Sequence, residues 1–199
     1  MRRSMKFAVA VMVVGVALYV AATRINLNLG HEVGEVLDQY NGVPVYYNGA
    51  INQVAGRHVA PDGYNLGLRW QCVEFVKRYY HQRLGHRMPQ DRGNAKDFFD
   101  VRVPNGATNA ARGLQQFTNG AGERPQVDDL VVFAPWLFNR YGHVVIVSAV
   151  GPDHVEVIQQ NPGPFGSSRE RYPLKRDADG LRVEHPRLLG WLRLPAPSR

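Results

Sequence analysis

Gln71-Cys-Val-Glu-Phe-Val-Lys-Arg-Tyr-Tyr-His-Gln-Arg-Leu-Gly85 carries the plainest helical periodicity in the globular part of the chain, and the architecture can be read from it. Cys72, Val76, Tyr79, Tyr80 and Leu84 recur at helical spacing, with Val73 and Phe75 beside them. The spacing predicts a helix over 71–84, stopped by Gly85. Its apolar side must lie on something, and the C-terminal half of the chain supplies a sheet. Leu130–Ala134, His143–Val150 and His154–Gln159 are β-rich runs of strand length, with Gly151-Pro-Asp153 as the turn between the last two. Leu188–Leu194 reads as a closing strand. Helices come first and strands after, which is the α+β class: helices packed on an antiparallel sheet.

Away from this helix and these strands the signals weaken. Glu32–Tyr40 reads as a short helix, and 49–67, rich in Gly, Asn and Pro, as loop. Ala95–Phe99 and Ala107–Phe117 read as further helical turns. At the N-terminus, Arg2, Arg3 and Lys6 precede an uncharged apolar run from Phe7 to Ala22, and Ile25 and Leu27 could extend it. That pattern is a secretory signal or an uncleaved membrane anchor. The expected division is therefore 1–27 as signal or anchor and 28–199 as one domain. The basic start places the domain outside the cytoplasm, in the periplasm, free or held to the inner membrane by residues 7–27.

Composition excludes several classes. With 44% hydrophobic and 21% charged residues the chain is an ordinary globular protein rather than a disordered one. The formal charge is +7, of which the N-terminal segment holds three; the remaining +4 is scattered and has no dense basic tract with interleaved aromatics. Nucleic acid is therefore not an expected partner. A single cysteine rules out an intrachain disulfide and a cysteine-based zinc site. No histidine or aspartate spacing suggests a metal, and no cofactor is expected.

Cys72 stands in the first turn of its helix. A thiol there meets the positive end of the helix dipole and unpaired N–H groups, which lower its pKa and can hold an oxyanion. A free cysteine is as readily a small buried hydrophobe. His143 heads the strand His143–Ser148, behind Gly142. If Val150 pairs with His154, His143 falls opposite Asn161, with Gln159 as its diagonal neighbour on the same face at ~7–8 Å. A side-chain amide there can accept the Nδ1–H of His143 and leave Nε2 for the thiol. Glu74, two residues after Cys72, points away from it and is expected as a helix-surface charge. Trp70, Tyr79 and Trp136 are groove or core aromatics.

These motifs together resemble the CHAP domain, the cysteine- and histidine-dependent amidohydrolases and peptidases. Trp70-Gln-Cys-Val-Glu-Phe75 resembles its nucleophile motif, Gly142-His-Val-Val-Ile-Val147 its histidine strand, and Val157-Ile-Gln-Gln-Asn161 the strand of acid and amide partners. Leu189-Gly-Trp-Leu192 resembles its closing segment. Asp129-Leu-Val-Val-Phe133 is similar to a Gly-Asp-led strand, with Asp128 in place of the glycine. Within the family the likeness is greatest to the amidase domain of glutathionylspermidine synthetase/amidase. The resemblance implies a papain-like fold and an amide hydrolase acting through a thioester. It implies Cys72 as nucleophile and His143 as base, Gln159 or Asn161 orienting the imidazole, and Trp70 and Gln71 near the oxyanion and substrate. Where relatives often carry a glutamate, this chain has Gln159; Glu156 and Asp129 are the other acids in reach. The substrate implied is the peptide part of peptidoglycan or a small peptide amide. The alternatives are a glutathionylspermidine-type amidase and an inactive module that binds wall peptide.

Overall fold

The computed structural model describes residues 2–177 and 180–196. The chain opens with helix α1 (Arg2–Arg24). Its Met5–Arg24 stretch has a mean hydropathy of 2.2 and is exposed as far as Val20, with Thr23 buried against the domain; by length and composition it can cross a membrane. Its end is tied to the domain, because the Asn52 N–H donates to the Thr23 carbonyl at 2.9 Å.

The segment expected as a helix over Glu32–Tyr40 is instead β1 (Val36–Tyr40), which pairs with β2 (Val43–Tyr46). Asn41 and Gly42 both take positive φ, 48° and 82°, as a two-residue hairpin turn requires. The Asn-Gly dipeptide outweighs the local helical spacing. Inside the expected loop 49–67 lies another ribbon, β3 (Arg57–Val59) with β4 (Asn65–Leu68). Helix α2 (Cys72–Leu84) follows as expected, with Gly85 at φ 63° donating its N–H to the Tyr80 carbonyl.

Of the two later helical turns, Ala95–Phe98 is a short 3-10 turn. Ala107–Phe117 is not helical: it holds β5 (Thr108–Asn109), a turn, and the start of β6 (Leu114–Thr118). Gly113 at φ 66° breaks any helix there, and β6 finds its partner in the distant closing strand. Among the described residues one α-helix, α2, therefore packs on the sheet, joined by the short 3-10 turn against β7 and β8. The strands β7 (Leu130–Phe133), β8 (His143–Val150), β9 (His154–Ile158) and β12 (Leu188–Arg193) stand where the sequence puts them. Two more, β10 (Arg169–Asp177) and β11 (Gly180–Val183), have no counterpart in the sequence expectation; their charged, outward residues hide the alternation. Together they form one antiparallel sheet in the order β11-β10-β9-β8-β7-β12-β6-β5.

The middle of the sheet is buried on both sides. Leu130, Val132, Val144, Ile146 and Ile158 face α2 through Phe75, Val76, Tyr79 and Tyr80. Val131, Phe133, Val145, Val147 and Trp191 face the other way and meet Leu174, Leu181 and Val183 from the far edge. The sheet thus rolls back on itself. Asn119, just past β6, closes the roll by exchanging two hydrogen bonds, 2.9 and 3.0 Å, with the Val183 backbone. Asp128 sits at φ 73°, the conformation a glycine would take without strain, and so fills the backbone place of the glycine in the resembling motif.

The β8–β9 hairpin sets the site. At the turn Val150 pairs with Val155 rather than His154, one residue from the expected register. A bulge at Ser148 then absorbs the difference, and Val147↔Val157 and Ile146↔Ile158 keep the expected pairing on the side that leads to His143.

Candidate active site

His143 and Gln159 are in contact: Nε2 of the ring lies 2.8 Å from the Gln159 Oε1. The amide cannot be turned round, because its Nε2 donates to the Ser167 carbonyl at 3.0 Å. Oε1 must then accept, so the ring proton is on Nε2 and the lone pair on Nδ1. This reverses the expected orientation, in which Nδ1 faced the amide. The diagonal choice of Gln159 agrees with the contact; the ring nitrogen does not. Burial lowers the His143 pKa below its ordinary value, and the Gln159 contact offsets this only in part.

Cys72 is buried, 7% exposed, at the start of α2. Backbone N–H groups of Val144, Val73 and Cys72 itself face the sulfur and favour the thiolate, but burial outweighs them and pushes the thiol up to about 11. The activation expected from the helix terminus is present and loses to desolvation. Val144 follows His143 directly, so the sulfur lies against the strand that carries the imidazole. Burial disfavours the charged form of both groups, and Cys72 is not among the residues that line the cleft at His143.

The other expected residues lie elsewhere. Asn161, at φ 58°, donates to the Ile51 carbonyl (2.9 Å) and Gln71 Oε1 (2.7 Å), and so does not orient His143. Gln71 Nε2 donates to the carbonyls of Ile51 (3.3 Å) and Gln53 (2.6 Å); both its hydrogens hold the 51–53 loop and are not free for an oxyanion. Trp70 stacks on Tyr46 at 4.8 Å and covers Gly34, away from the His143 cleft. Glu156 is bound by Ser148, Arg169 and Arg171, and Asp129 by Arg193, so neither serves as a third residue.

Glu74 is the largest correction. It is fully buried, not on the helix surface. Its carboxylate meets Arg78 Nε at 2.7 Å, His58 Nδ1 at 2.7 Å and Gln160 Nε2 at 2.9 Å. Gln160 also donates to the Gln71 carbonyl at 3.0 Å and accepts from the Tyr46 N–H at 2.8 Å. This cluster ties the first turn of α2 to the residue after Gln159, and so holds the thiol and imidazole elements together.

A cleft of about 120 Å³ opens at His143, lined also by Ile51, Phe133, Trp136, Gln159 and Asn161. Glu170, Tyr172, His185 and Arg187 close its far side from β10 and the loop before β12. Glu170 and Tyr172 went unread in the sequence because β10 did, and His185 and Arg187 because they lie in the irregular loop between β11 and β12. Among the described residues no group of three or more His, Cys, Asp or Glu is placed to hold a metal ion.

A family model, the CHAP domain, matches residues 62–161. A Crithidia fasciculata protein named trypanothione synthetase is 30% identical over 129 residues, 64% of this chain and 20% of that one. The bifunctional glutathionylspermidine synthetase/amidase of Escherichia coli (strain K12) is 29% identical over 143 residues, 64% of this chain and 22% of that one. The chain thus matches about a fifth of the length of these curated relatives. Among solved structures, the endolysin LysIME-EF1 shows 20% identity and a TM-score of 0.39, over 74% of this chain and 62% of that one. The matched span runs from before Cys72 to Asn161 and so includes His143 and Gln159.

Proposed function

Since this chain belongs to the CHAP domain family, we propose that it is a cysteine amidohydrolase of the exported type, cleaving amide bonds in the peptide part of peptidoglycan. The observation that supports the mechanism is the His143–Gln159 contact on the strand whose next residue, Val144, turns its N–H to the buried thiol at the helix start. His143 Nδ1 takes the Cys72 proton as the sulfur attacks the amide carbonyl. Catalytic contacts of this kind are commonly long in the unliganded enzyme and tighten on the substrate. The N–H groups of Cys72 and Val73 take the oxyanion. The C–N bond breaks, the leaving amine receives the proton from His143, and a thioester remains on Cys72. Water, deprotonated by His143, then attacks the thioester and releases the acid and the thiol.

Burial disfavours a standing thiolate–imidazolium pair, so in this mechanism His143 takes the proton during the attack. Gln159 orients the ring without adding charge. Gln159→Ala is therefore expected to lower kcat by about 10²-fold with little change in KM, since a freed ring samples the wrong tautomer. Gln159→Glu should move the acid limb of Cys72 alkylation to lower pH, because a carboxylate stabilises imidazolium and with it the thiolate. Steady-state turnover checks the first variant and iodoacetamide alkylation across pH the second. If Asn161→Ala is crippled and Gln159→Ala is not, the assignment of the orienter fails.

The names of the curated relatives favour a second reading, a peptide–polyamine amidase. Glu170 on the cleft wall gives such a cationic leaving group an acidic neighbour. Incubating the protein with purified wall fragments, and separately with glutathionylspermidine, and identifying products by mass spectrometry decides between them. New amine and carboxyl ends from wall peptide alone support the first reading; release of spermidine alone replaces it with the second. Binding of wall peptide with neither product would make the chain an inactive wall-binding module.

A further inference from the structure

The His143 cleft is fastened on both rims to the last turns of α1. On one rim, Ile51 lines the cleft, and its neighbour Asn52 donates to the Thr23 carbonyl. On the other, Trp136 lines the cleft and packs edge-on against Phe138 at 5.1 Å, and Phe138 stacks on Tyr19 of α1 at 6.2 Å. Trp136 and Asn139 exchange two backbone hydrogen bonds of 3.0 Å, so Leu137 and Phe138 form the tip of a closed turn. That tip is apolar and turned outward: Leu137 is 74% exposed and Trp136 43%. Arg187 lies over Trp136 at 4.9 Å, and Arg140 over Tyr141 at 5.0 Å.

We propose that the Trp136–Tyr141 turn inserts into the outer surface of the phospholipid bilayer that α1 crosses, so that the cleft works on substrate lying against the membrane. The inference rests on the reading of residues 1–27 as a retained anchor. Tyr19 is five residues before the end of α1, about 7.5 Å along its axis at the usual helical rise. With the 20-residue apolar stretch filling the hydrocarbon core, Tyr19 stands about 7.5 Å on the acyl side of the outer headgroup boundary. The turn that stacks on it is held at the same depth. Trp and Tyr favour that boundary, and Arg24, Arg140 and Arg187 suit the anionic headgroups just outside it. An apolar tip that would otherwise face water is thus given a matching medium.

The test uses the full chain in vesicles of phosphatidylcholine and phosphatidylglycerol carrying a spin label near the acyl carbonyl. Tryptophan emission is compared between the native chain and Trp136→Phe, whose remaining Trp70 and Trp191 provide the baseline. The Trp136 component should fall by about half or more, and Leu137→Asp at the tip should restore it. Carbonate extraction and the mass of the recovered chain report separately on α1. A chain that stays in the membrane with Trp136 unquenched overturns the proposal and leaves the anchor standing. A chain that has lost its N-terminal residues, or that carbonate releases, overturns the proposal together with the anchor reading.

Discussion

Cys72→Ala and His143→Ala each lower amide hydrolysis by about 10⁴-fold or more, while the circular-dichroism melt stays close to that of the native chain. The two losses do not multiply in the double variant, because the residues act as one unit. The fold survives because neither side chain carries the packing: Cys72 is one small member of a large cluster, and His143 is half-buried at a strand head. The same geometry makes an unusual demand of the resting enzyme. With the thiol pushed up to about 11 by burial and the ring pushed down, Cys72 alkylates more slowly at pH 7 than a free thiol does. The proposed mechanism thereby predicts that activity and resting reactivity are uncoupled, with fast thiol chemistry only in the presence of substrate.

Glu74→Ala is the substitution expected to cost most stability, about 3–5 kcal/mol, since it leaves Arg78 buried without its carboxylate. Glu74→Ala with Arg78→Met should recover part of the loss, because no buried charge is then left alone. Urea titrations of the three chains measure this. The cluster also has a pH signature. Burial works to raise the Glu74 pKa, but the bonds from His58, Arg78 and Gln160 together outweigh it, and the folded pKa lies below the ordinary 4.5. A depressed carboxylate stabilises the fold above its unfolded pKa and loses that contribution as pH falls through the folded value. The native chain should therefore weaken below about pH 4.5 by more than Glu74→Gln does. Gln160 joins this carboxylate to the Gln71 carbonyl, so Gln160→Ala should lower kcat as well, by loosening α2 against β9.

The parts of the site carried by regular elements were legible in the sequence. Cys72–Leu84 showed its period, and counting around the hairpin brought Gln159 to His143. The count succeeded although its starting pair was wrong, because the bulge at Ser148 restores the register before the site. What escaped was set by groups distant in sequence. The orientation of the Gln159 amide depends on the Ser167 carbonyl, and the ring nitrogen left with its lone pair follows from it. The helix dipole at Cys72 could be read from position, whereas the burial that overrides it could not. Glu74 looked like a surface charge because Arg78, His58 and Gln160 converge on it only in the fold. The Asn41-Gly42 turn and the break at Gly113 were written in the sequence, but local helical spacing masked them.

The whole mechanism turns on Cys72 carrying the acyl group, and that group can be trapped. Native protein is mixed with the cleaved wall peptide, quenched in acid within the first turnovers, digested with trypsin, and analysed by mass spectrometry. An acyl adduct is expected on Trp70–Lys77, the tryptic peptide that contains Cys72; it disappears with hydroxylamine and never forms in Cys72→Ala. Continued cleavage by Cys72→Ala, with no adduct on that peptide in the native protein, would contradict the mechanism.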